Sequence, residues 1–129
     1  MVVQKFGGTS VADPDAVGRL IDIARTAHVR DRRGPVLVVS ALSKVTDALL
    51  SVAREAGAAQ TGAALAIVEQ LRERHHAMVT ALVGDDERPA VAAFVDGHLD
   101  QLADIVRALV VLREVSPRTL DVIASMGEL

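Results

Sequence analysis

Two short apolar stretches separated by one amphipathic stretch constrain this chain more than any other feature. Residues 2–6 are rich in β-forming side chains and run into a pair of glycines, as a strand does before a turn. Residues 36–39, Val-Leu-Val-Val, are typical of a strand buried on both faces of a parallel sheet. Between them, Asp13 and Pro14 predict the N-cap and first position of a helix. The order strand, helix, strand predicts a parallel βαβ unit with a right-handed crossover.

The first helix is expected to end near residues 33–35, and the rest of the chain is also predicted to be helical. Apolar spacing predicts helices at 46–56 and 62–83, then a third helix after a polar loop at 84–89. Ser116 followed by Pro117 predicts the start of a last helix. The expected apolar positions are Ala16, Val17, Leu20, Ile21, Ala24 and Ala27 in the first helix, and Leu65, Val68, Leu71, Met78, Val79, Leu82, Val91, Val95, Leu102, Ile105, Val106 and Leu109 in the later ones.

The sequence predicts too few strands for the number of helices that it predicts. Two parallel strands cannot form a sheet that so many helices cover. The last helix is also expected to be cut in mid-course. We therefore expect residues 1–129 to be one incomplete unit, the N-terminal part of a three-layer α/β/α sandwich.

Composition argues against several classes of protein. The net charge of −3 and the two aromatic residues argue against a nucleic-acid surface, which needs a basic stripe and stacking rings. The basic cluster at residues 30–33 is short and contains an acid, so it is interpreted as a solvated helix end. The absence of cysteine excludes disulfides, thiolate metal sites and a cysteine nucleophile. No signal peptide is visible and no apolar run approaches the roughly 20 residues of a membrane span, so the cytoplasm is the expected location.

The turn after the first strand is the sharpest candidate for a binding site. Gly7 and Gly8 would let the backbone approach an anion closely. Lys5 supplies a compact cation, and Thr9 and Ser10 add hydroxyl donors. The spacing matches neither a Walker A loop nor a dinucleotide-binding fingerprint. On chemistry alone, a tight turn with a solvated lysine remains the simpler interpretation.

Two further segments carry polar groups suited to a small substrate. Ser40 and Thr46 leave the end of the second strand near a helix start, where hydroxyls can hold a carboxylate. Alternatively, Thr46 only caps the helix. Gly127 is expected inside a helix, where glycine is unfavourable by roughly 1 kcal/mol and so indicates close packing or ligand approach. Glu128 could bind an ammonium group or simply be solvated.

Both polar loops leave the carboxyl ends of predicted strands. Because ligands of open α/β sheets bind at that edge, we expect Lys5, Gly8, Ser40 and Thr46 to surround one cleft. No metal site is expected in the protein: His75 and His76 are neighbours in a helix and cannot both face one ion. The acidic residues 85–87 are interpreted as a solvated loop.

Three segments together resemble the aspartate kinases of the amino acid kinase family. Residues 5–11, Lys-Phe-Gly-Gly-Thr-Ser-Val, look like the opening motif of that family. Residues 38–41, Val-Val-Ser-Ala, followed by Val-Thr at 45–46, resemble its second block, and residues 125–128, Ser-Met-Gly-Glu, resemble its third. The three occur in the family's order with compatible intervals, so the resemblance covers essentially the whole chain.

The resemblance implies transfer of a phosphoryl group from MgATP to the side-chain carboxylate of L-aspartate, giving 4-phospho-L-aspartate. This reaction opens the route to lysine, threonine, methionine and, in bacteria, diaminopimelate. The implied partners are L-aspartate and ATP, with Mg²⁺ as part of the ATP complex, and no nucleic acid or membrane. Typical members form homo-oligomers and continue with further strands, a second glycine-rich stretch and regulatory ACT domains. We therefore expect the 129-residue chain alone to be inactive.

The resemblance also assigns roles by position. Lys5 would contact the transferring phosphate, and the aspartate would be held by Ser40 and Thr46, with Glu128 on its ammonium group. Backbone donors would come from Gly7 and Gly8, in a pocket shaped by Thr9 and Ser10.

Two alternatives stay open. One is another amino acid kinase, acting on acetylglutamate, glutamate or a nucleotide; the other is a non-catalytic α/β interaction module or gene remnant.

Overall fold

The computed structural model describes residues 2–30 and 33–128. The chain divides into two compact units, Met1–Lys44 and Val45–Leu129. The first unit holds the parallel strands and one helix, and the second consists of helices. This is the mixed α/β class that the sequence predicts.

The first unit has the predicted order of strand, helix and strand. β1 spans Val3–Phe6, α1 spans Pro14–Arg30 and β2 spans Val36–Val39. The two strands pair in parallel, with Lys5 opposite Val38. Their carboxyl ends therefore lie at the same edge of the unit.

α1 begins where the sequence predicts. The Asp13 carboxylate accepts a hydrogen bond from the backbone N–H of Ala16 at 2.7 Å, which caps the helix. Ala16 and Leu20 are buried, and the rest of the predicted apolar face is partly buried. The expected end near residues 33–35 is too late, because α1 ends at Arg30 and residue 33 already lies in a turn. Residues 31 and 32, the middle of the basic cluster, lie outside the described residues.

The prediction that β2 is buried on both faces is wrong. All four residues of β2 are between 39% and 47% exposed. A strand is buried on both faces only when layers cover both faces and neighbouring strands flank it. Within the described residues, β2 pairs with β1 alone.

The second unit is a helical bundle in its described residues. α2 spans Val45–Gly57, α3 spans Thr61–Leu82, α4 spans Arg88–Leu112 and α5 spans Pro117–Ser125. A 3₁₀ turn, Met126–Glu128, follows α5. α3 packs against α2 and α4, and α5 packs against α2. The most deeply buried large side chains are Val52, Val68, Leu102, Val106 and Ile123.

The helix signals in the sequence correspond to helices in the second unit. The Ser116 hydroxyl accepts a hydrogen bond from the backbone N–H of Thr119 at 3.1 Å, so Ser116 caps α5 as predicted. Met78, predicted as core material, is buried. Boundaries shift by one or two residues, as is usual for helix ends.

An ion-pair cluster joins α3 and α4. Arg72 bridges two turns of α4, with Nη1 at 2.5 Å from Asp96 Oδ1 and Nη2 at 2.7 Å from Asp100 Oδ1. His76 Nε2 lies 2.8 Å from the same Asp96 oxygen. The hydrogen bond with His76, followed by that with Arg72, holds the pKa of Asp96 below its ordinary value. The Asp96 carboxylate therefore stabilises the folded bundle.

We expect the Asp96→Asn variant to melt at a lower temperature than the parent chain at neutral pH. Because the pKa of Asp96 is lower in the folded state, its stabilisation is fully present above the unfolded-state value of about 3.9. That stabilisation is lost as the pH falls through the folded-state pKa. The difference in melting temperature between parent and variant should therefore close in acid, as measured by circular dichroism across pH.

Asp104→Asn is the matched control. Asp104 also lies on α4 and pairs with Arg107 within the same helix, where both side chains are well exposed. Such pairs contribute little to stability. If Asp104→Asn lowered the melting temperature as much as Asp96→Asn, the bridge between α3 and α4 would have no special role.

Candidate active site

The loops that follow β1 and β2 lie against each other. The backbone N–H of Ser40 donates to the Phe6 carbonyl at 3.0 Å, which extends the parallel pairing beyond both strands. A Cβ atom placed on Gly8 would lie 3.5 Å from the Ala41 carbonyl oxygen. The glycine turn and the loop at residues 40–44 are thus brought together at one edge, as the sequence predicts. Thr46 belongs to the second compact unit, so its place in the same cleft stays a prediction.

The backbone at Gly7 is open. Gly7 has φ −80° and ψ 174°, an extended conformation that any residue adopts, and precedes the 3₁₀ turn Gly8–Val11. A Cβ atom on Gly7 would meet nothing within 4 Å. Neither strain nor packing within the described chain therefore requires glycine here. The space beside this backbone is free for a ligand to approach.

Lys5 is placed on the opposite face of β1 from two partly buried side chains. Gln4 and Phe6 are partly buried, whereas Lys5 is exposed, as the alternation of a strand dictates. The Lys5 ammonium group forms no ion pair with any residue in the described ranges. It is therefore available to an anion at the edge where the glycine turn begins.

Thr9 and Ser10 lie on the side of the turn that faces α1. Both line a groove of about 260 Å³ in the first unit, together with Phe6 and Arg19. The backbone N–H of Ser10 donates to the Gly7 carbonyl at 2.8 Å and closes the turn. Neither hydroxyl forms a hydrogen bond to another described residue.

The hydroxyl of Thr46 does not cap α2. The helix begins at Val45, so Thr46 lies inside its first turn and is exposed. There the backbone N–H groups have no partner within the helix and the helix dipole is positive, which favours an anion. Lys44, immediately before the helix, has φ 65°, a left-handed conformation uncommon for residues other than glycine.

Glu128 lies in the turn after α5, on the same unit as Thr46. The Met126–Glu128 turn packs against α2, the helix that carries Thr46. Val45 and Gly127, the chain neighbours of Thr46 and Glu128, line one cavity of about 100 Å³. Gly127, predicted inside a helix, lies in the 3₁₀ turn and not in α5, because α5 ends at Ser125 and the chain then tightens.

Sequence reasoning missed Arg19. Arg19 is exposed on α1 and also lines the groove with Thr9 and Ser10. Arg19 lies three residues after the buried Ala16, so it borders the apolar face and was detectable by its spacing.

Two features are absent from the residues that the structure describes. Residues 2–30 and 33–128 contain no group of three or more His, Asp or Glu side chains that could hold a metal ion. In those same ranges, no helix has the length and apolar content needed to cross a membrane.

Comparison with known proteins identifies the class. The sequence model of the amino acid kinase family matches residues 1–128. The chain therefore belongs to the amino acid kinase family.

The individual relatives are aspartokinases. The chain is 30% identical to the chloroplastic aspartokinase 1 of Arabidopsis thaliana over 128 residues, which cover 98% of the chain and 21% of that protein. It is 28% identical to the chloroplastic bifunctional aspartokinase/homoserine dehydrogenase 1 of the same plant over 127 residues, or 98% of the chain and 14% of that protein. A crystal structure of E. coli aspartokinase III with aspartate and ADP matches with a TM-score of 0.78 and 26% identity, covering 99% of this chain and 26% of that one. The chain thus spans about a quarter or less of each.

Proposed function

We propose that this chain is part of an aspartate kinase, which transfers a phosphoryl group from ATP to the side-chain carboxylate of L-aspartate. The observation that carries the proposal is the open backbone at Gly7 near Lys5, whose ammonium group pairs with no residue that the structure describes. A bound phosphate chain would occupy the open space beside Gly7 and pair with the ammonium group of Lys5. The E. coli relative, whose structure holds aspartate and ADP, supports the same assignment.

In the proposed site, the phosphate groups of ATP are held by the turn after β1. Backbone N–H groups at Gly7 and Gly8 donate to phosphate oxygens, as in other anion-binding turns. Lys5 offers a compact positive charge to the transferring group. The residues present suit a phosphate chain because they supply donors and a cation. Mg²⁺ arrives with ATP and supplies further charge neutralisation when bound.

The acceptor is held by the segments around Ser40, Thr46 and Glu128. Thr46, in the first turn of α2, donates its hydroxyl to a carboxylate of aspartate. Glu128 accepts hydrogen bonds from the ammonium group of aspartate. Ser40 adds a hydroxyl from the loop after β2.

The reaction needs no general base from the protein. The side-chain carboxyl of aspartate has an ordinary pKa of about 3.9 and is ionised at neutral pH. One carboxylate oxygen forms the new bond to the γ-phosphorus, and the bond from that phosphorus to the β–γ bridging oxygen breaks. The bonding electrons leave with ADP, and no proton is transferred. The protein's part is alignment and stabilisation of the negative charge that spreads over the phosphoryl oxygens.

The product, 4-phospho-L-aspartate, places the enzyme at the entry to lysine, threonine and methionine biosynthesis. Assembly into a homo-oligomer and a cytoplasmic location remain predictions for the full-length gene product. The Arabidopsis relatives are chloroplastic.

We expect Glu128→Ala, made in the full-length gene product, to raise the KM for L-aspartate about tenfold or more and to change kcat little. A charge-assisted hydrogen bond to the ammonium group is present in both the ground state and the transition state, so its loss weakens binding rather than the chemical step. Steady-state kinetics with L-aspartate varied at saturating MgATP measure both constants. Asp121→Ala, an exposed acid on α5, is the matched control and should leave the KM unchanged.

A panel of acceptors tests the proposed function. ADP release from MgATP by the full-length gene product would be followed with L-aspartate, L-glutamate, N-acetyl-L-glutamate and a nucleoside monophosphate. The proposal requires kcat/KM to be highest for L-aspartate by a wide margin. A clear preference for another acceptor would assign the protein to a different branch of the family. No acceptor-dependent ADP release would favour the non-catalytic alternative.

A further inference from the structure

A groove of about 430 Å³ lies at the amino-terminal edge of the two strands, within the first unit. This amino-edge groove is bordered by the residue before β1, by the second half of α1 and by the residues that lead into β2. The loops of the candidate active site leave the opposite, carboxyl edge of the same strands. The volume falls within the roughly 300–1,000 Å³ that is typical of small-molecule sites. The proposed phosphoryl transfer makes no use of this groove.

The side chain of Gln4 has an unmet hydrogen-bonding need in the amino-edge groove. Its Oε1 atom is buried and accepts no hydrogen bond from any residue that the structure describes. The rest of the Gln4 amide group also has no hydrogen-bond partner among the described residues. Because a buried carbonyl oxygen without a partner is unfavourable, such atoms are few in folded proteins. The Oε1 atom therefore points to a donor from a bound molecule.

The polar neighbours on α1 do not supply that donor. The Thr26 hydroxyl donates its one hydrogen to the backbone carbonyl of Asp22 at 2.8 Å. The Asp22 carboxylate can only accept, and its ion pair with Arg25, at 4.0 Å, involves a residue outside the groove. Thr26 and Asp22 therefore add acceptors to the amino-edge groove, and a ligand has to bring the N–H group.

The charges along the amino-edge groove balance each other. Among the described residues that line it, Asp22 is the one acid and Arg30 the one base. They stand about two helical turns apart on α1, and both are exposed to solvent. The groove as a whole therefore favours neither a cation nor an anion. Its apolar walls, which include Val2, Ile23 and Ala27, suit an uncharged molecule.

We infer that the amino-edge groove binds a small uncharged molecule that carries a carboxamide group on an apolar body. An N–H group of the ligand donates to Oε1 of Gln4, and the ligand carbonyl accepts from the Gln4 amide nitrogen, so the two amide groups pair. The apolar body lies against Val2, Ile23 and Ala27. Because the site is at the edge opposite the proposed active site, the inference does not rest on the proposed function.

Four probes with the same five-carbon chain test which head group the groove prefers. They are pentanamide, N,N-dimethylpentanamide, pentylammonium and pentanoate. Each would be titrated into the 129-residue chain and followed by NMR chemical shifts of Val2, Ile23 and Ala27. We expect pentanamide to saturate these signals at the lowest concentration. The N,N-dimethyl derivative, which keeps the carbonyl but has no N–H, should bind about tenfold more weakly.

Replacing Gln4 with leucine tests the role of the amide, because the side chain keeps a similar volume and loses its polar group. Pentanamide should bind to Gln4→Leu about tenfold more weakly than to the parent chain. The melting temperature should stay the same or rise, since a buried polar atom without a partner is removed. Gln101→Leu makes the same substitution at an exposed position of α4 and should leave pentanamide binding unchanged.

A variant that fills the amino-edge groove keeps the inference testable if Gln4→Leu does not fold. Ala27 is partly buried and lines the groove from α1. The longer side chain of Ala27→Met should therefore abolish pentanamide binding. The full-length gene product should bind pentanamide as the 129-residue chain does, and loss of binding there would show that another segment covers the groove and would overturn the inference.

Other results would also overturn the inference. Tighter binding of pentylammonium or pentanoate would assign the groove to a charged ligand. Equal binding of pentanamide and its N,N-dimethyl derivative, or unchanged binding in Gln4→Leu, would remove Gln4 from recognition. No binding of pentanamide to the parent chain would leave water as the partner of Gln4. The proposed function fails separately, through the acceptor panel, because none of these titrations involves phosphoryl transfer.

Discussion

Replacing Lys5 with alanine in the full-length gene product is expected to lower kcat about 100- to 1,000-fold and to leave the KM for L-aspartate nearly unchanged. Lys5 is exposed at the edge where the glycine turn begins and forms no ion pair with a described residue. In the proposed site it faces charge that develops on the phosphoryl oxygens during transfer. An interaction made only in the transition state acts on kcat.

Two comparisons make the Lys5 experiment specific. Lys5→Arg keeps the charge but changes the shape of the donor group, so we expect an intermediate kcat. Arg25→Ala removes a cation from the outer side of α1 and should leave both kcat and the KM for L-aspartate unchanged. A Lys5→Ala enzyme with normal kcat and a raised KM for L-aspartate would show that Lys5 binds the acceptor and does not stabilise the transfer.

Replacing Leu102 with alanine is expected to destabilise the helical bundle by about 3 kcal/mol, within the usual range for a buried leucine. Leu102 is 0% exposed and borders the cavity of about 100 Å³ in the second unit. Truncation therefore removes apolar contacts and enlarges an existing void. Urea unfolding followed by circular dichroism measures the loss as a lower midpoint.

Leu112→Ala is the control for Leu102. Leu112 is the last residue of α4 and is 70% exposed, so its truncation should change the free energy of unfolding by no more than about 0.5 kcal/mol. Equal effects of the two substitutions would mean that α4 does not pack in the bundle as described.

Local signals in the sequence predict most of the first unit. Asp13-Pro14 marks the start of α1, and the apolar runs mark β1 and β2, because capping and strand formation depend on neighbouring residues. The loops after the strands are also predicted correctly to lie together, since parallel strands share one carboxyl edge.

The failures concern properties that local sequence does not determine. The burial of β2 depends on what covers its faces, and a Val-Leu-Val-Val run looks the same with or without that cover. Gly127 looks like a helical glycine because α5 and the following 3₁₀ turn continue without a break in hydrophobic pattern. The place of the exposed Arg19 beside Thr9 and Ser10 could not be predicted, since only the fold brings the turn after β1 against α1.

The central claim is that this chain contributes the phosphate-binding turn and acceptor-binding segments of an aspartate kinase. The most direct measurement is trapping of 4-phospho-L-aspartate as its hydroxamate, after incubation with MgATP and L-aspartate. The full-length gene product and the 129-residue chain would be assayed side by side, each with a Lys5→Ala counterpart. We predict hydroxamate from the full-length product, a loss of at least 100-fold with Lys5→Ala, and none from the chain alone. Absence of hydroxamate from the full-length product, or full activity of its Lys5→Ala variant, would contradict the account.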